Sequence, residues 1–215
     1  MNPAKNHLDL ELTELRREWL LMLNRASVAF GLATQALLES NRQKAERAID
    51  CDGDVDERQT ALERRCLELI SKYAPQLGDL RFVTSVLASL SELERIGDYA
   101  VHIAKDVLLL ATPWATPNVV ELVAQIRTMT DMLDLGIAQK DPKRLGNVVH
   151  QDRNVDQLVE HINHELMQAA TSSTEPVAHV LARLRVVRSL QRIGDHLENV
   201  AERAIFWLTG ERTLI

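Results

Sequence analysis

The chain repeats itself, and a repeat restricts the fold more than any other property of the sequence. Leu93-Glu94-Arg95-Ile96-Gly97-Asp98-Tyr99 returns as Leu190-Gln191-Arg192-Ile193-Gly194-Asp195-His196, and each copy follows an Asp-x-x-x-Asp pair, Asp52/Asp56 and Asp152/Asp156. From Asp56 to Asp98 is 42 positions and from Asp156 to Asp195 is 39, a difference that one loop absorbs. One supersecondary unit has been used twice, and each unit must bury its apolar face against neighbours.

The unit is helical. Leu8, Leu12, Leu15, Trp19, Met22, Ala26, Ala29, Ala33 and Ala36 step alternately by four and three, the seam of a left-handed bundle. A second helix is predicted from Asn41 to about Tyr73, broken by Pro75 to Gly78, and a third carries Phe82, Val86, Leu90, Leu93, Ile96, Ala100, Ile103, Val107 and Leu110 on one face. Pro113-Trp114-Ala115-Thr116-Pro117 reads as the linker between the copies. The fourth helix is predicted from about Asn118 to Ala138 and the fifth from Pro142 to about Ala170, followed by a loop at Thr171-Ser172-Ser173-Thr174. The sixth runs from Pro176 to Leu208 with Gly210 as its stop; its core positions from Leu190 to Trp207 match those of the third helix from Leu93 to Leu110. The expectation is an all-α protein of six long helices in two tandem three-helix bundles, residues 1–112 and 118–215.

Composition excludes several classes. Only 4% of residues are aromatic against 46% hydrophobic, which suits a helix bundle rather than a sheet. A net charge of -6 without a concentrated basic face argues against nucleic acid. No run of about twenty apolar residues is evident, and Met1 to Asn6 lacks the apolar stretch of a signal peptide, so a cytoplasmic location is expected. Cys51 and Cys66 fall outside zinc-ligand spacings and read as reduced thiols.

Asp52 and Asp56 project from one helix face, as do Glu94 and Asp98 on the next helix, and in an antiparallel hairpin the pairs meet at one height. Each like-charged pair about 4 Å apart costs about 4 kcal/mol at an effective dielectric near 20. Neutralisation by hard cations follows as an expectation: magnesium, calcium, manganese or iron suit carboxylate ligands. His102, four after Asp98, continues the stripe as a nitrogen donor. The competing reading is a solvated acidic face paired with Arg58, Arg64, Arg95 and Arg192; recurrence of the pattern weighs against it. Asp52, Asp54 and Asp56 do not open an EF-hand, because Glu57 occupies the place of the turn glycine. His161-Ile162-Asn163-His164-Glu165 is neither HExxH nor HxxEH, and no Glu-x-x-His occurs. Gly97 and Gly194 inside helices each cost about 1 kcal/mol relative to Ala, which points to a close backbone approach, first of all by a neighbouring helix.

With Asp79-Leu80-Arg81, the Leu93 to Ala100 segment and Arg192-Ile193-Gly194-Asp195-His196 in order, essentially the whole chain resembles the PhoU family of bacterial phosphate-uptake regulators. The resemblance implies multinuclear metal clusters on E(D)xxxD motifs, here Asp52/Asp56, Glu94/Asp98 and Asp152/Asp156. The fourth motif departs: Gln191 precedes Asp195, which implies weaker metal binding or a different nuclearity in the second copy. His102 stands where the family has Asn, which Asn199 retains in the second copy. The metals implied are iron, manganese, magnesium or zinc.

By resemblance, the protein is a non-enzymatic negative regulator of phosphate uptake and of the phosphate-starvation response. Its implied partners are the ATPase of a phosphate-specific ABC transporter and a phosphate-sensing histidine kinase, with membrane association through partners only, and a homodimer is implied. The alternatives are a carboxylate-bridged metal-dependent hydrolase or oxidase, and a phosphotransfer module using His102 with Lys105 one turn on.

Overall fold

The computed structural model describes the backbone of residues 3–110, 112–172 and 176–211; the side chains of residues 3–6, 52, 54, 171 and 172 lie outside the description. All regular structure among the described residues is helical: α1 (Pro3–Glu39), α2 (Arg42–Asp50), α3 (Asp52–Tyr73), α4 (Leu77–Val107), α5 (Pro117–Gln139), α6 (Pro142–Ser172) and α7 (Val177–Thr209). α2 and α3 are the expected second helix, interrupted at Cys51, so each repeat remains three rods. The interruption is a tight turn, with the Cys51 amide bonded back to the Ala48 carbonyl at 3.3 Å. It falls in Asp50-Cys51-Asp52-Gly53-Asp54, a run of weak helix formers. The matching stretch of the second repeat, His150-Gln151-Asp152-Arg153-Asn154, lies within the unbroken α6.

The first hairpin turn of each repeat has one chemistry. Ser40 and Lys140 adopt left-handed backbone at φ 54°. Each is followed by a short polar cap: Asn41 Oδ1 accepts from the Lys44 amide at 3.0 Å, and Asp141 Oδ1 accepts from the Lys143 and Arg144 amides at 3.0 and 3.2 Å. α6 runs two residues past the expected Ala170; positions 173–174 of the expected loop lie outside the described residues. Gly210, φ 78°, ends α7 as expected.

The two repeats share one core. α4 and α7, the third rods of the two copies, pack more extensively on each other than any other pair of helices, running antiparallel, and the apolar cluster passes without interruption from one copy to the other. Trp19 of α1, Phe82 of α4 and Trp207 of α7 meet at one end, their ring centroids 4.6 to 6.3 Å apart. The linker is tied down rather than free: Trp114 is buried, its amide bonds to the Leu37 carbonyl at 3.2 Å, and Arg183 lies over its ring. α1 contains a window of mean hydropathy 1.2, making it the one described helix long and apolar enough to cross a membrane, contrary to the expectation that no such stretch exists. Half of that window is buried, and Leu15, Trp19, Met22 and Ala26 within the helix are fully covered by the core.

Packing differs in detail between the copies. Gly136 and Leu145 occupy the places of Ala36 and Ala45, and a Cβ on Gly136 would lie 2.7 Å from Leu145 Cδ2. Gly136→Ala is therefore expected to destabilise the fold by about 1–3 kcal/mol, as overpacked cores do, despite the better helix propensity of Ala. In urea unfolding the double variant Gly136→Ala/Leu145→Ala, which restores the pair of the first repeat, should lose less stability than the two single changes added together.

Candidate metal centres

Asp152 and Asp156 on α6 and Asp195 on α7 each bring a carboxylate oxygen within 4.8 Å of the other two. Close approach of the two helices makes this possible. A Cβ at Gly194 would sit 2.9 Å from Asp152 Oδ1 and 3.3 Å from Val155 Cγ1, so the in-helix glycine leaves room for the acid. Asp152 is 8% exposed, and its Oδ1 is fully covered without a hydrogen-bond partner. Burial, reinforced by the charges of Glu198, Asp195 and Asp156, pushes its carboxyl up to about 7. An acid held this way costs stability whenever it is ionised alone, and a cation in front of it removes that cost. The donor set, oxygens only, fits a hard divalent ion.

Polar and charged neighbours complete the surroundings. Gln191 Nε2 donates to Asp156 Oδ1 at 2.7 Å, and Arg192 Nη1 donates to Asp195 Oδ2 at 2.9 Å. Gln191 thus belongs to the site, but as a hydrogen-bond donor to a carboxylate. Glu198, absent from the motif reading, has its carboxyl raised by burial and then by the charges of Glu202, Asp195 and Asp156, with Arg153 opposing. Its signal in the sequence was a third position, after Gln191 and Asp195, on the same α7 face.

In the first copy Asp56 of α3 acts through space on Glu94 of α4, but among the described residues Asp56, Glu94 and Asp98 do not form a group within 4.8 Å as the second-copy acids do. Burial raises the Glu94 carboxyl, the neighbouring Asp98 raises it further and Asp56 adds a smaller push, while Arg95 opposes them. Arg95 Nη1 donates to Asp98 Oδ2 at 3.0 Å, and its Nε stands 3.5 Å from Glu94 Oε2. Asp52 is the first residue of α3, and its expected ligand side chain lies outside the described residues. At Gly97 an added Cβ would make only ordinary contact with Val55, at 3.5 Å.

Two expected ligands are placed elsewhere. His102 is exposed, edge-on to Tyr99 at 5.7 Å, and no described contact links it to Glu94 or Asp98. Asn199 turns away from its own repeat, its Nδ2 donating to Glu92 Oε2 of α4 at 3.1 Å. His196 Nδ1 meets the same oxygen at 2.7 Å, and the His196 ring stacks on Tyr99 at 5.6 Å. The bond to His196, followed by the one to Asn199, lowers the Glu92 carboxyl against the opposing effect of burial. Motif spacing within one repeat carries no signal for this cross-repeat cluster.

A duplicated three-rod helical unit with a carboxylate groove between its second and third rods defines the class of protein. The sequence profile of the PhoU domain matches twice, at residues 20–107 and 119–204, and the chain belongs to the PhoU family. It is 36% identical over 208 residues to the phosphate-specific transport system accessory protein PhoU homolog of Deinococcus radiodurans, covering 95% of this chain and 98% of that protein. It is 29% identical over 205 residues to the accessory protein PhoU of Escherichia coli, covering 94% and 85%. The crystal structure of the phosphate transport system regulatory protein PhoU from Streptococcus pneumoniae superposes with a TM-score of 0.90 at 28% identity, covering 97% of this chain and all of that one.

The raised Asp152 carboxyl has a consequence for stability in chelator-treated protein. The unfolded carboxyl ionises from its ordinary value of 3.8 and the folded one only near 7, so the folded state holds the extra proton between those values. Stability should fall as pH rises through that window and stay low above it, by up to about 4 kcal/mol at about 1.4 kcal/mol per pK unit. Asp152→Asn should flatten the decline and melt higher than wild type at pH 8; equal melting temperatures across pH 5–8 would refute the buried-acid account.

Proposed function

We propose that the chain is a non-enzymatic accessory protein of a phosphate-specific transport system, restraining phosphate uptake and the phosphate-starvation response. The observation that carries the reading is correspondence along nearly the whole length, in sequence and in fold, with proteins named as accessory or regulatory proteins of phosphate transport. Its partners on this reading are the ATPase of the phosphate ABC transporter and a phosphate-sensing histidine kinase, and it reaches the membrane through them. A rigid six-rod body with a shared core suits docking, since its surfaces are presented at fixed angles.

Divalent metal binding is part of the proposal. Asp152, Asp156 and Asp195 hold the ion in the second repeat, and Asp56, Glu94 and Asp98 do so in the first. The support is the convergence of three carboxylates, with the covered, unpartnered oxygen of Asp152 beside them. A bound cation supplies positive charge that lets both hairpins close without like-charge repulsion. The chain's own groups do the rest: Arg192 and Gln191 orient Asp195 and Asp156, and Gly194 admits Asp152.

Deleting the gene should switch on phosphate-responsive transcription in phosphate-rich medium, and a plasmid copy should restore repression; unchanged reporter output on deletion would reject the regulatory role. Elemental analysis tests the metal separately. Purified wild type should carry divalent metal, and Asp98→Ala/Asp195→Ala should carry less than about a tenth as much, in line with the loss of primary ligands.

A further inference from the structure

The two repeats distribute their negative charge differently along the third rod. In α4 the sequence at the site is Glu94, then Asp98, then Val101, the last of these buried in the fold; in α7 the same places hold Gln191, Asp195 and Glu198. The carboxylate missing before the central aspartate reappears after it. Positions i, i+4 and i+7 share a helix face, and two contacts fix which way that face of α7 points: Gln191 on Asp156 at 2.7 Å, and Asp195 within 4.8 Å of Asp152 and Asp156. Glu198, half-buried, is the next residue on that stripe, and among the described residues it makes no hydrogen bond or ion pair.

Asp152 supplies the independent sign of a ligand. It is more than nine-tenths buried, its Oδ1 lacks a partner, and the Gly194 backbone closes one side of it. Glu198 lies one turn beyond Asp195 on the α7 stripe that faces Asp152 and Asp156, just outside the three carboxylates that converge within 4.8 Å.

We infer that Glu198 is a metal-binding carboxylate of the second repeat, replacing the charge that Gln191 lacks. The second centre accordingly sits farther toward the C-terminal end of α7 than the first does along α4. Gln191 and Glu198 are seven residues apart, about 10 Å of helix rise, which bounds the displacement. Loss of the motif acid at position 191 therefore relocates the site without lowering its charge. This inference rests on the proposal that the carboxylate groove takes divalent metal.

The test uses full-length, chelator-stripped protein carrying Asp98→Asn, so that the second repeat dominates, titrated with Mn2+ and followed by the electron paramagnetic resonance of the free ion. Glu198→Gln should weaken binding at least about tenfold, and adding Gln191→Glu to it should recover most of the loss. Helical circular dichroism confirms that each variant is folded. Unchanged affinity in Glu198→Gln, with binding lost in Asp195→Asn, would overturn the role of Glu198 while leaving metal binding intact. Absence of Mn2+ binding by the Asp98→Asn parent and by wild type alike would overturn the metal reading, and the inference with it.

Discussion

Antiparallel packing of α4 on α7 fixes the rotation of both helices, and every feature of the carboxylate groove inherits that rotation. Glu92 and Glu94 are two residues apart, and two residues turn a helix by about 200°. When Glu92 faces α7 to receive His196 and Asn199, Glu94 must face the other way, toward α3 and Asp56. The same seam is held at one end by the Arg185 to Asp106 pair, with Nε at 2.8 Å from Oδ1, and at the other by Trp19, Phe82 and Trp207. Small buried residues, Ser85 and Ser89 on α4 and Ser189 on α7, suit close approach of long rods.

The two grooves solve charge repulsion differently. In the first repeat Arg95 reaches both Glu94 and Asp98 and is itself mostly exposed, so its pairs contribute little stability. In the second, Arg192 reaches Asp195, while Asp152 has an Oδ1 that no cationic group bonds among the described residues. Protonation is the recourse left to a buried acid in that position, which is why its carboxyl rises to about 7. On the proposed metal reading a cation competes with an arginine in either groove, Arg95 or Arg192, and in the second groove also with the proton on Asp152.

Much of the fold was legible because helical period and duplication reinforce one another. The seam from Leu15 to Ala36 in α1, the stop at Gly210 and the pairing of Leu93 with Leu190 appear in the structure as read from the sequence. The break at Cys51 was not read, because apolar periodicity continues across it and only the weak formers around Gly53 signal it. Of the site, the convergence of Asp152, Asp156 and Asp195 followed from spacing at helical period. His102 was read from the same spacing applied one turn further and Asn199 from the family resemblance at the matching place, where rotation carries a side chain out of the groove. Glu92, His196 and Glu198 escaped because a contact between repeats, or an acid without a counterpart in the other copy, leaves no trace in a repeat alignment.

Tyr99 directly follows Asp98, and His196 directly follows Asp195, so the residues next to the two central aspartates form the ring stack at the seam. A helix turns as a rod, since its hydrogen-bond ladder resists local twisting. Any rotation of α4 that redirects Asp98 must drag Tyr99 across the face of His196, and any rotation of α7 that redirects Asp195 must strain the bond from His196 to Glu92. Each groove is thereby held in register by the helix that forms the other, which gives the shared core a role beyond stability: neither copy can rotate its third rod without disturbing the packing that both copies use.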